Sequence, residues 1–207
     1  MLRRCRAIPG NDIVVCATVA SPESAPIEAV AEEYGALVFR GSETDVLDRY
    51  LKAARSVDAD VIMRVTSDCP LIDPQLCGAV LAARANIRAD YGANFFSHGF
   101  PHGLDCDAFT RETLERCARE ASDPGDREHV TAWMRRQPAL RKARVDGPGG
   151  APAGWRWTID YEEDLAFLRA LFRHLPPAPA MPAWTEIATV LDRHPEIAEI
   201  NAARRQR

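Results

Sequence analysis

Val61-Ile62-Met63-Arg64-Val65-Thr66-Ser67-Asp68-Cys69-Pro70-Leu71-Ile72-Asp73-Pro74 decides how this chain is built. Val61 to Val65 is a short apolar run rich in β-branched side chains and reads as a buried strand. Pro70 and Pro74 restrict the backbone and remove N–H donors, so the strand must give way to an irregular, positioned loop before a helix from about Gln75 to Ile87. Asp68 therefore stands just past a strand end. In open parallel sheets that edge binds ligands, because loops converge there and helix N-termini point their amides outward.

The same alternation extends upstream. Ile13 to Thr18 reads as a strand, followed by a helix through Ile27, Val30 and Ala31 that Gly35 closes in a left-handed cap. Ala36 to Phe39 is the next strand, and Gly41-Ser42-Glu43-Thr44-Asp45 opens a helix whose apolar positions Val46, Leu47, Tyr50, Leu51 and Ala54 keep the helical period. Strand, helix and strand in turn call for parallel strands joined by right-handed crossovers. Downstream the alternation loosens. Strands are expected over Tyr91 to Phe96, Leu104 to Phe109, Leu140 to Val145 and Arg156 to Ile159, with helices over Arg111 to Ala121 and Arg127 to Arg136. A patterned helix runs from Asp160 through Phe172, and Pro176-Pro177-Ala178-Pro179 stops it. The expected organisation is an α/β domain over 1–175, then a proline-rich linker and a helical appendage over 176–207, with helices near Trp184 to Arg193 and Glu196 to Arg204.

Asp160 directly follows the strand ending at Ile159 and occupies the same edge as Asp68. Two hard oxygen ligands from distant segments can meet on one cation there, and magnesium suits them, with water and phosphate oxygens completing its shell. The alternative reading is that each Asp caps the helix that follows it, and Asp160 before Tyr161-Glu162-Glu163 is a good candidate for that role. His98, His102 and Cys106 have helical metal-site spacing, but Gly99, Pro101 and Gly103 break any helix there, so no zinc site is expected. Arg127-Glu128-His129 reads as a charged first helical turn.

Composition excludes several classes. The 207 residues are 46% hydrophobic and 27% charged with a net charge of -4, an ordinary globular balance that lacks the basic face nucleic acid requires, apart from a small tail of Arg204, Arg205 and Arg207. None of the six cysteines forms a C-x-x-C pair, which suits reduced thiols in the cytoplasm. No signal-length or membrane-spanning apolar run occurs, so no membrane partner is expected.

Phe39-Arg40-Gly41-Ser42-Glu43, Asp45-Val46-Leu47-Asp48-Arg49 and the Arg64 to Pro74 stretch together resemble one family. Tyr91, Asn94, Pro101-His102-Gly103-Leu104-Asp105, Arg127-Glu128-His129-Val130-Thr131 and Thr158-Ile159-Asp160 with Asp164-Leu165 continue the match in order, from about Asp12 to Leu171. The family comprises the cytidylyltransferase-like proteins of spore-coat polysaccharide and flagellar sugar biosynthesis, related to the CMP-sialic acid and CMP-octulosonate synthetases. The resemblance implies a Rossmann-like, mostly parallel three-layer sheet of the nucleotide-diphospho-sugar transferase type. It also implies a magnesium-dependent nucleotidyltransferase that joins CTP to a sugar and releases pyrophosphate, and a homodimer formed through the irregular middle segment. By analogy Asp68 and Asp160 hold the metal and are catalytic, Ser42, Asp45 and Arg49 line the nucleotide, and Asn94, Asp105, Arg127 and His129 face the sugar or a second subunit.

The chain departs from the family at Ser67, where Gly is usual, and at Asp107, where Glu is usual. Family members also begin with a strand and a basic, glycine-containing phosphate loop, whereas Leu2-Arg3-Arg4 here looks like the end of the first helix. The expectation is an N-terminally truncated domain, inactive as it stands, with a mis-assigned start as its origin and a gap between the strands at 13–18 and 61–65. The rival reading is a non-catalytic binding or assembly subunit that keeps the fold. A metal-dependent glycosyltransferase is disfavoured, because Thr66 to Pro70 lacks a D-x-D arrangement.

Overall fold

The computed structural model describes residues 1–204, so Arg205 and Arg207 of the basic tail lie outside the described residues. A short helix α1 (Leu2–Arg6) leads into β1 (Val15–Val19), α2 (Ala25–Glu33), β2 (Leu37–Gly41), α3 (Val46–Ser56), β3 (Val61–Arg64) and α4 (Pro74–Asn86). The starts of α3 and α4 have a chemical cause. Asp45 accepts from the N–H of Asp48 at the head of α3, and Asp73 does the same for Leu76 at the head of α4, where Pro74 fills the first helical position. Gly35 takes the expected left-handed conformation, φ 69°, between α2 and β2.

β4 (Tyr91–Ala93) and β5 (Asp107–Thr110) come next, followed by α5 (Arg111–Glu120), α6 (Pro124–His129), α7 (Ala132–Arg136), β6 (Lys142–Arg144), α8 (Glu162–Phe172), α9 (Trp184–Arg193) and α10 (Pro195–Glu199). The helix expected over Arg127 to Arg136 is broken, because buried Val130 adopts φ 57° between α6 and α7, a conformation that ends any right-handed helix. The strand expected at Arg156 to Ile159 is reduced to a single parallel bridge between His102 and Arg156. Its neighbours are loops interrupted by Pro70, Pro101 and Gly103, which cannot supply a continuous ladder.

β1 and β2 form one parallel pair, and the other sheet has the order β3-β5-β4-β6. In the second sheet β5 runs antiparallel to both β3 and β4, while β6 is parallel to β4. β5 is reversed because the chain returns from β4 through an irregular loop with no crossover helix between them. The sheet is buried on both faces. Tyr91 and Phe109 join the core of α3, α5 and α7, whereas Ala108, adjacent to Phe109, packs with Cys77 and Val80 of α4. A third cluster packs Trp157 and α8 against Ile187, Leu191 and Ile197 of α9 and α10.

β1 and β3 belong to different sheets, and an open cavity of about 1300 Å³ lies between them, walled also by residues of α1 to α4. This cavity is a slot between the two strands. Five of the six cysteines are buried, and burial pushes the thiols of Cys5 to about 11 and of Cys69 and Cys117 to about 12, which keeps them protonated.

Candidate functional site

The backbone N–H of Ile159 donates to the carbonyl of Asp68 at 2.9 Å. This bond lays the segment ending at Asp160 directly beside Asp68, so the two carboxylate-bearing residues occupy adjoining stretches of backbone. Earlier in that segment, the N–H of His102 donates to the Trp155 carbonyl at 2.9 Å and the N–H of Trp157 donates to the His102 carbonyl at 2.6 Å. The loop bearing Asp105 is thereby attached to the same platform. Gly103 makes this possible. Its φ is 109°, and a Cβ there would lie 2.7 Å from the Trp157 backbone.

Neither Asp68 nor Asp160 serves as a helix cap. At α4 the capping carboxylate is Asp73, and at α8 Asp164 accepts from the N–H groups of Asp160 at 3.0 Å and Tyr161 at 3.1 Å. Asp68 is half-buried, and the Asp160 side chain is 44% exposed. No group of three His, Cys, Asp or Glu residues converges among the described residues. A pair of carboxylates fits magnesium, which takes one or two protein oxygens and fills its octahedron with water and phosphate. It does not fit the closed four-ligand cage of a structural zinc site. Cys106, moreover, is buried against Cys77, whereas His102 faces Arg156 and Asp105.

Asp160 also accepts from Arg156. Arg156 is buried and bound more extensively by Asp164, through Nε at 3.0 and 3.1 Å and Nη2 at 2.9 Å. Burial alone would push the Asp164 carboxyl up, but Arg156, the two backbone N–H groups and Asn201 outweigh it and hold the pKa at about 2. Asp164 is therefore an anion at any physiological pH.

A second linked set joins the residues expected on the nucleotide side. The Ser42 hydroxyl accepts from the N–H of Asp45 at 3.0 Å, and Arg49 donates to the Ser42 carbonyl at 2.7 Å. Asp45 is clamped by Arg127, 2.7 Å from Nε and 2.6 Å from Nη2. Burial pushes the Asp45 carboxyl up, yet Arg127 and the N–H of Asp48 prevail and lower its pKa. Arg127, expected to face the sugar, thus ties α6 to α3. Arg49 and Arg64 both line the slot, and the buried Nε of each lacks a hydrogen-bond partner among the described residues.

The other expected sugar-side residues are scattered. Asn94 is buried, its amide donating to the Leu104 carbonyl at 2.8 Å and its oxygen accepting from the N–H of Cys106 at 2.9 Å, so it braces the loop between β4 and β5. Asp105 is half-buried, 3.8 Å from His102, and His129 is exposed at the end of α6. Sequence reading missed the supporting roles of Arg156, Asp164 and Asn201. The i, i+4 spacing of Arg156, Asp160 and Asp164 was a usable signal, whereas nothing local marks Asn201.

The sequence model of the family described as Cytidylyltransferase matches residues 3–172. The spore coat polysaccharide biosynthesis protein SpsF of Bacillus subtilis is 33% identical over 191 residues, covering 91% of this chain and 78% of that protein. An uncharacterised protein of Methanocaldococcus jannaschii is 32% identical over 199 residues, 95% of this chain and 79% of the relative. Among solved structures, a cytidylyltransferase from Leptospira borgpetersenii superposes with a TM-score of 0.89 at 27% identity, covering 96% of this chain and 83% of that one. A CMP:2-keto-3-deoxy-manno-octonic acid synthetase complexed with CTP shares the fold, with a TM-score of 0.56 at 16% identity over 84% of this chain and 86% of that one. With the family pattern running through the strand-end loops that carry Asp68 and Asp160, the chain belongs to the cytidylyltransferase family.

Proposed function

We propose that this domain transfers CMP from CTP to a sugar, an acidic keto-sugar, for a surface polysaccharide or flagellar glycan. The observation that supports the reading is the backbone bond from Ile159 to Asp68, which brings the segment bearing Asp160 beside Asp68, with both carboxylates left unused as caps. A sugar hydroxyl oxygen attacks the α-phosphorus of CTP, its proton leaves to solvent, and the bond to the pyrophosphate oxygen breaks. Asp68 and Asp160 would hold Mg2+, which when bound neutralises phosphate charge. The protein's own share is in-line positioning in a fixed polar setting. Ser42, Asp45 and Arg49 shape the nucleotide side, and half-buried Asp105 and exposed His129 are the sugar-side candidates. We place the reaction in the cytoplasm, in a homodimer joined through the segment between β4 and β5; no helix among the described residues is long and apolar enough to cross a membrane.

The slot between β1 and β3 favours a second reading for the 207-residue chain itself, in which it holds nucleotide without turning it over and serves as a binding or assembly subunit. One experiment separates the two. Radiolabelled CTP binding and pyrophosphate release are measured in parallel with Mg2+ and a panel of 2-keto-3-deoxy sugar acids. The expected result is Mg2+-dependent release of pyrophosphate together with a CMP-sugar. CTP binding that EDTA abolishes, with pyrophosphate at background, would overturn the transferase reading in favour of the binding subunit. Equal binding of ATP, or no nucleotide binding at all, would sink the cytidylyl reading.

A further inference from the structure

We propose that Asp164, backed by Asn201 of the C-terminal appendage, is a positioning residue that keeps Asp160 available to a divalent cation. This rests on the reading of Asp160 as a metal ligand. Arg156 is the group that threatens that availability. Its side chain is 6% exposed and lies between two carboxylates, Asp164 at 0% and Asp160 at 44%. A guanidinium in full possession of Asp160 would neutralise it and occupy the oxygen a cation needs.

Asp164 competes for that guanidinium on better terms. It takes Nε with both oxygens and shares Nη2, all within a dry setting, whereas Asp160 receives only Nη2 at the solvent edge. The same carboxylate accepts the N–H groups of Asp160 and Tyr161, which fixes the turn on which Asp160 stands. Asn201 completes the arrangement. Its amide donates to Asp164 Oδ1 at 2.9 Å and to the Arg156 carbonyl at 3.0 Å, and the residue is 1% exposed. The last segment of the described chain is thereby joined to the strand-end loop, and the appendage becomes part of the site's support.

Groups that orient metal ligands from behind commonly change metal affinity by about 10–100-fold when altered. The test titrates Mn2+ alone into the 207-residue protein, followed by water-proton relaxation, for wild type, Asp160→Asn, Asp164→Asn and Asn201→Ala, with thermal melts alongside. Asp164→Asn strips a buried cation of its main partner and lowers stability, so Asn201→Ala carries the comparison. The expected result is that Asp160→Asn abolishes site binding and Asn201→Ala weakens it roughly tenfold while the protein stays folded. Wild-type Mn2+ affinity in Asn201→Ala, with only a lowered melting temperature, would reduce Asn201 and Asp164 to structural groups and overturn the proposal. Wild-type affinity in Asp160→Asn would remove the metal reading itself, and the proposal with it.

Discussion

Asp160→Asn and Asp68→Asn are each expected to lower Mg2+-dependent CTP affinity by about 100-fold or more, since a bound cation contributes several kcal/mol of charge neutralisation to a phosphate ligand. The structure separates this loss from unfolding. Asp160 is 44% exposed, Arg156 keeps its more numerous bonds to Asp164, and neither Asp68 nor Asp160 caps a helix. Melting temperatures should therefore stay near the wild-type value while isothermal titration with CTP and Mg2+ loses its signal. A variant that binds Mg2+-CTP normally but melts much earlier would show that these carboxylates serve the fold and not the ligand.

The largest effect on stability is expected at Asp107. This residue is 0% exposed and stands directly opposite Arg64 across the β3–β5 pair. One of its oxygens accepts from the Tyr91 hydroxyl at 3.0 Å and from the Thr131 hydroxyl at 2.7 Å. Burial would pull the Arg64 pKa down, but Asp107, Tyr50, Tyr91 and Asp68 together outweigh it and raise it; burial and the Asp107 carboxylate both push the Tyr91 hydroxyl up. Asp107→Ala leaves two buried hydroxyls without their acceptor and removes the carboxylate that faces Arg64 across the strand pair, at a cost of about 3–5 kcal/mol, from about 1–3 kcal/mol for each unsatisfied group. For a chain of this length that corresponds to a melting temperature lower by on the order of 10 °C. A fall of under about 2 °C in a calorimetric scan would mean that Arg64 finds another partner or that water reaches the site.

Asp107 also shows where sequence reading stops. It was noticed only as an Asp in place of a usual Glu, and its partners Arg64, Tyr91 and Thr131 lie in three other segments that no local pattern connects. What could be read were the features with short-range causes. The β-branched runs at Val15–Val19 and Val61–Arg64, the proline-fixed loop after β3 and the left-handed Gly35 all follow from neighbours in sequence. The placement of Asp68 just past β3 followed from the same logic, whereas the strand expected before Asp160 is only a single bridge. The reversal of β5, the break at Val130 and the burial of Asn94 depend on which segments meet in three dimensions, and composition carries no trace of them. Arg127 illustrates the difference for the site. Its family position suggested a sugar contact, yet its guanidinium is engaged by Asp45 and by the carbonyls of Ala118 and Ala121.

The account turns on one cation shared by Asp68 and Asp160. Crystals of the 207-residue protein soaked with Mn2+ and CTP, with diffraction recorded at the manganese edge, test it most directly. The account predicts an anomalous peak about 2 Å from a carboxylate oxygen of each residue, or from one with a water bridging to the other, next to the CTP phosphates. An anomalous peak elsewhere, with Asp68 and Asp160 both still unliganded beside bound CTP, would contradict it.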